Sequence, residues 1–170
     1  LKMKRDGLFH EFRQLLADMI EAKRELTDAY RLAKQRIDLA NAIDGGLAVR
    51  AAAIANSAHP EVEVERRNIM GVVVPSVSGT NLKSTFEERG VGYIGSSPYI
   101  DEASDSFSEL IEKIVTASEM EATLKRLLEE IEATKRRVNA LEFKVIPELE
   151  EAKVFIQLRL EEMELSLIHI

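Results

Sequence analysis

Apolar residues recur along the first third of the chain in alternating steps of three and four. Phe9, Phe12, Leu16, Met19, Lys23, Leu26, Tyr30, Ala33, Ile37, Ala40, Asp44, Leu47, Ala51 and Ile54 form one stripe, with only Lys23 and Asp44 polar. A second stripe fills the last third: Phe107, Leu110, Ile114, Ala117, Glu121, Leu124, Leu128, Ile131, Lys135, Val138, Glu142, Val145, Leu149, Ala152, Ile156, Arg159 and Met163. Its polar exceptions are Glu121, Lys135, Glu142 and Arg159. A sustained 3.5-residue period keeps an apolar seam turned toward a partner helix along its whole length. The fold class expected is mainly α: two long antiparallel helices forming a coiled coil, about 80 Å long at 1.5 Å per residue. Polar seam positions either set the register when buried, or mark points where the helices splay or face a different protein.

Between the stripes the period changes. His59-Pro60 ends the first helix, because the residue before a proline is pushed out of the helical region. Val62 and Val64 then alternate with Glu61, Glu63 and Glu65, and Ile69 to Val74 is rich in β-branched residues. Residues 61–77 read as a small hairpin, and Ser78-Gly79-Thr80-Asn81 as a turn cluster. Phe86, Tyr93 and Ile94 lie in the loop that follows and could cover apolar surface. Two strands alone are marginal, so this element must lean on the helices or on a partner. Val72, Val73 and Val74 are either the apolar side of a small cap or a docking strip. The resulting division is 1–58 helix one, 59–97 hairpin and loop, 98–164 helix two and 165–170 a tail.

Three local features modify the rod. Gly45-Gly46 falls inside the first stripe and reads as a softened end, a local break or a close approach of another backbone. Ser106 with Glu109 matches a capping box for the start of helix two. Pro147 lies within the second stripe, where its ring should bend the helix by meeting the carbonyl of Phe143.

Charge sharpens the pairing. Residues 1–58 carry ten Lys/Arg and eight Asp/Glu, whereas residues 98–170 carry nine and seventeen. The two helices thus differ in sign, which favours pairing with each other. The net charge of −7 lacks the clustered basic face of a nucleic-acid binder. Cysteine is absent, so no disulfide or thiolate metal site exists. No apolar run approaches the ~18 residues of a membrane span.

Candidate chemistry is sparse. Gly90-Val91-Gly92-Tyr93-Ile94-Gly95 matches G-x-G-x-x-G but lacks the preceding buried strand and following helix of a dinucleotide site. His10-Glu11 begins an H-E-x-x-H pattern that Gln14 breaks. Adjacent carboxylates such as Glu129-Glu130 diverge on a helix and cannot form an acid/base pair. No catalytic residue, cofactor or metal is expected.

Residues 134–149, Thr-Lys-Arg-Arg-Val-Asn-Ala-Leu-Glu-Phe-Lys-Val-Ile-Pro-Glu-Leu, resemble the T-x-R-R-V-N-A-L-E and I-P-x-L signature of the D subunits of the V-type and A-type rotary ATPases. Leu1 to Asp6 with Glu11-Phe12, and Asn68 to Pro75, are similar to two further segments of that family. The resemblance implies a central rotor shaft with no active site of its own. It implies binding to the small F subunit, standing on the funnel-like C subunit (called d in eukaryotes), and tips that enter the catalytic A/B head. The shaft would couple proton or sodium movement to ATP synthesis or hydrolysis, on the cytoplasmic side of the membrane and peripheral to it. Candidate interaction or structural residues are Val72, Val73, Val74, Arg136, Arg137, Asn139 and Pro147. Family members begin before the K-R-D segment, and residues 165–170 do not match them, so a fragment lacking both helix tips is expected. The competing reading is a non-enzymatic coiled-coil adaptor, which would not need the N-I-M-G-V-x-V-P strand.

Overall fold

The computed structural model describes residues 1–56, 59–80, 82 and 97–168. Helix α1 spans Lys2–Asp44 and a short α2 spans Gly46–Ala55. Strands β1, Glu61–Ile69, and β2, Val72–Thr80, form an antiparallel hairpin. Helix α3 runs from Pro98 to Ala140. A π-helical turn, Leu141–Val145, joins it to α4, Ile146–Ile168. Loop residues Phe86, Tyr93, Ile94 and the Gly90–Gly95 motif lie outside the described residues.

Helices α1 and α3 pack side by side and antiparallel, as the two stripes predict. Cross-helix contacts descend in one helix as they climb in the other. Lys2 pairs with Glu142, Lys4 Nζ with Glu130 at 3.4 Å and Lys113 Nζ with Glu25 at 2.9 Å. Arg36 Nη1 donates to Ser106 Oγ at 2.7 Å, and Ser97 Oγ donates to the Asp44 carboxylate. Exposed ion pairs are each worth only about 0–1 kcal/mol, so this ladder marks the register more than it stabilises it.

The seam itself is rotated by one residue at every second position relative to the sequence expectation. On α1 it runs through Leu8, Phe12, Leu15, Met19, Ala22, Leu26, Ala29, Ala33, Ile37 and Ala40, all buried or half-buried. On α3 it runs through Ala103, Ser106, Leu110, Lys113, Ala117, Met120, Leu124, Leu127, Ile131, Thr134, Val138 and Leu141. Phe9, Leu16, Tyr30, Phe107, Ile114 and Leu128 are consequently exposed. So are Lys23, Glu121 and Lys135, which are therefore not buried register-setting groups. The rotation replaces three charges that would have cost desolvation with Ala22, Met120 and Thr134, and brings in one, Lys113 in place of Ile114, which pairs with Glu25. Small residues at Ala22, Ala33, Ala40, Ala103 and Ala117 also let the two backbones approach closely. Of the polar exceptions, Asp44 and Glu142 remain half-buried, and each has a cross-helix partner.

The local expectations fare differently. Gly45 is a break: its φ of 86° and ψ of 154° lie in a region open essentially to glycine, and nothing lies within 4 Å of a Cβ built there. Among the described residues no backbone approaches Gly45 or Gly46 closely. The capping box at Ser106 is also overturned. The N-cap is Ser97, nine residues earlier, its hydroxyl accepting from Tyr99 N–H at 3.2 Å, and the helix starts at Pro98, the first residue read for helix two from the sequence. Ser106 is buried inside the helix, where its hydroxyl meets Arg36. The hairpin turn lies at Met70-Gly71, where φ is positive at both residues, the signature of a type I′ turn. Asn68 Oδ1 accepts from Gly71 N–H at 2.7 Å. Ser78-Gly79-Thr80 continues β2 instead of turning.

Candidate interaction site

The hairpin meets the two helices at a single apolar node. Leu8 from α1, Val72 and Val74 from β2, and Leu127 and Ile131 from α3 form its buried core. Phe12, Leu15 and Ile69 pack around it. Leu127 and Leu8 have no exposed surface, and each such side chain contributes about 1.5–3 kcal/mol of burial. Gly7 sits beside the node, and a Cβ there would run into the end of the Met70 side chain. The hairpin tip therefore rests on the first turns of α1.

Two polar contacts complete the docking. Glu119 Oε2 accepts from Val77 N–H at 3.1 Å, and Arg126 Nε donates to Val73 C=O at 3.4 Å. Both side chains come from α3 and both hold the outer backbone edge of β2. Neither residue stands out in the sequence, because each looks like an ordinary polar position on a solvated helix face.

The seven candidate residues separate into three places. Val72 and Val74 are buried at 3% and 1% exposure and are cap residues, while Val73 points outward at 48%. Arg136, Arg137 and Asn139 lie exposed on the last turns of α3. Arg137 Nη1 reaches Glu130 at 3.7 Å, the same carboxylate that Lys4 contacts. Pro147 is exposed at the start of α4, beside a shallow open groove with Phe143, Glu148 and Val154. The structure does not bring these residues into one site.

The proline is accommodated by a change of helix type. Ile146 N–H bonds to Leu141 C=O, five residues back, which widens the helix before Pro147. This relieves the clash expected with the Phe143 carbonyl. Beyond it α4 has no buried residue, and Phe143, Leu149, Phe155, Leu158, Met163 and Leu167 are all exposed.

The chemistry the molecule offers is slight. Among the described residues no cluster of His, Cys, Asp or Glu could hold a metal, and no helix is long and apolar enough to cross a membrane. Among the described residues one titration departs from normal: Lys113 is raised by its hydrogen bond and charge contact with Glu25, with Glu109 and Glu112 adding to the effect. An apolar recess of about 210 Å³ lies near the α1–α2 break, lined by Ile37, Val49, Ala52, Ile100 and Phe107 among others. Asp101 and Ser104 also line it, but no histidine or lysine joins them to activate a hydroxyl.

Comparison with known proteins agrees with the sequence resemblance. The family model for the D subunit of ATP synthase matches residues 1–168. The D subunit of the A-type ATP synthase of Methanococcoides burtonii is 52% identical over 96% of this chain and 80% of its own length. That of Methanosarcina mazei is 51% identical over 96% and 78%, and that of Halobacterium salinarum 49% over 96% and 73%. The chain belongs to the family of ATP synthase D subunits, which are accessory stalk components and not the catalytic ones.

Proposed function

We propose that this chain is the rotating central shaft of an A-type ATP synthase. It would transmit torque between an ion-driven membrane ring and the catalytic A/B head, coupling proton or sodium movement to ATP synthesis or hydrolysis. The observation that carries this reading is the long antiparallel stem. The α1/α3 pair is braced by a continuous seam and cross-helix contacts over its length. A shaft needs a stiff stem, and this pair supplies it.

The partner assignments follow the same geometry. The A/B head would receive the α4 end of the rod. The C subunit would receive the opposite end, where α2 exposes Leu47 and Ile54. The F subunit would bind along the stem. Work on the shaft is mechanical: the seam resists sliding, because slipping one residue would bring Lys23, Glu121 and Lys135 toward the interior. The complex would be peripheral on this side, facing the cytoplasm.

Reconstitution of the complex with and without this chain tests the proposal. With the chain present, ATP hydrolysis drives ion pumping. Without it, the head should still hydrolyse ATP while pumping disappears. Undiminished pumping without the chain would rule out a shaft role.

A further inference from the structure

The two edges of the hairpin are not equivalent. In an antiparallel pair, alternate residues turn their N–H and C=O groups toward the partner strand and away from it. Val77 N–H and Val73 C=O both bond outward, to Glu119 and Arg126. Residues 73, 75 and 77 of β2 therefore belong to the outward-facing set. Pro75, which has no N–H, falls on the position where none is needed for the ladder. The outer edge of β2 is thus closed by a proline and by two side chains of α3.

The pairing register transfers this alternation to β1. Val73, Pro75, Val77 and Gly79 lie opposite Asn68, Arg66, Val64 and Val62. The backbone groups of Val62, Val64, Arg66 and Asn68 therefore point outward along the open edge. Among the described residues nothing covers that edge, and residues 61–68 of β1 are all exposed, Val64 at 66%. The strand is nine residues long, with no proline and no bulge in its pairing. Of the devices by which edge strands usually protect themselves it carries only charge, on Glu61, Glu63, Glu65, Arg66 and Arg67.

Side chains on this edge are sorted. Val62 and Val64 share the outer face with Val77, which pairs directly with Val64, and the three form a short β-branched strip. Glu61, Glu63 and Glu65 occupy the other face and have no ion-pair partner among the described residues. We propose that β1 receives an extended segment of a partner protein as a third strand, with Lys or Arg at alternate positions opposite these glutamates and apolar residues opposite Val62 and Val64. Backbone bonds supply the attraction in such strand addition, and alternate side chains supply the selectivity. This surface is separate from the seam and from α4, so it goes beyond the shaft reading and does not depend on it.

The test uses the full chain and a dye-labelled nine-residue peptide of alternating Lys and Val, followed by fluorescence anisotropy at physiological salt. Val64→Pro removes an outward N–H while leaving the bonds to β2 in place. It should weaken binding at least tenfold. The triple reversal Glu61→Arg, Glu63→Arg and Glu65→Arg leaves the backbone untouched, which guards against misfolding of the proline variant. It should also weaken binding at least tenfold and should confer binding to a Glu-Val peptide. The inference requires both losses together. Absence of binding to the unmodified chain overturns it, as does a loss in only one variant. Binding that survives Val64→Pro reports attraction to the acidic chain as a whole. Self-association of the unmodified chain that Val64→Pro abolishes would make a second copy the occupant, and would equally overturn the assignment.

Discussion

Helices α3 and α4 continue one another through the π-helical turn and carry apolar residues at comparable spacing, yet they have opposite fates. α3 buries eleven of its residues, from Ala103 to Val138. α4 buries none. The difference lies in what stands opposite: α1 accompanies α3 along its length, and its first turns end beside Glu142. A heptad stripe therefore states that a helix is meant to be covered. It does not state whether the cover belongs to the same chain.

The sharpest way to break this contrast is a matched pair of truncations. Leu127→Ala removes a fully buried side chain from the node of α1, α3 and β2 and should cost about 2–5 kcal/mol. Leu158→Ala, on α4, should change stability by less than ~0.5 kcal/mol. Denaturant unfolding of the isolated chain reads both. Equal losses would mean that α4 is packed in solution.

Gly45→Ala comes next. The glycine conformation there is closed to other residues, so the variant should lose about 1–3 kcal/mol. The loss should be confined to the α1–α2 junction, as site-resolved hydrogen exchange would reveal. A stability gain would instead mean that α1 and α2 fuse into one helix.

Within α3, Thr123 and Thr134 are buried with hydroxyls that have no hydrogen-bond partner among the described residues. Valine has nearly the same shape without the polar atom. Thr134→Val should raise stability by about 1 kcal/mol, measured by the unfolding midpoint. A loss would reveal a partner for the hydroxyl.

The smallest effect is electrostatic. Lys113 gains its partner Glu25 on folding, so its pKa in the folded chain lies above the ordinary lysine value. Its stabilisation is fully present below the unfolded value of 10.5 and is lost as the pH rises through the higher folded one. Glu25→Gln should lower neutral-pH stability slightly and flatten the alkaline decline by the same small amount. An identical decline in both proteins would assign it to other groups.

The rod, its antiparallel sense and the hairpin were legible because each rests on a period that local sequence carries. The one-residue rotation of the seam was not. At 3.6 residues per turn, Phe9 and Leu8, or Leu128 and Leu127, occupy adjacent lanes and both are apolar. Only the facing helix decides between them, and it decides by rejecting Lys23 and Lys135. The position of the hairpin turn was not legible either: Met70-Gly71 looks like part of an apolar run, and its positive φ values are a property of the pairing. Arg136, Arg137 and Asn139 stood out through the family resemblance, yet they lie on the exposed side of α3 while Val138 between them is buried. Glu119 and Arg126 carried no signal, since what they hold is backbone from a segment distant in sequence.

The central claim is that this chain turns. With the A/B head immobilised, a bead attached through a cysteine introduced at Arg50, near the α1–α2 break, reports that motion directly. Sustained rotation in one sense is expected on addition of ATP, ceasing when ATP is exhausted. A bead that stays fixed while the head hydrolyses ATP at its normal rate would contradict the claim.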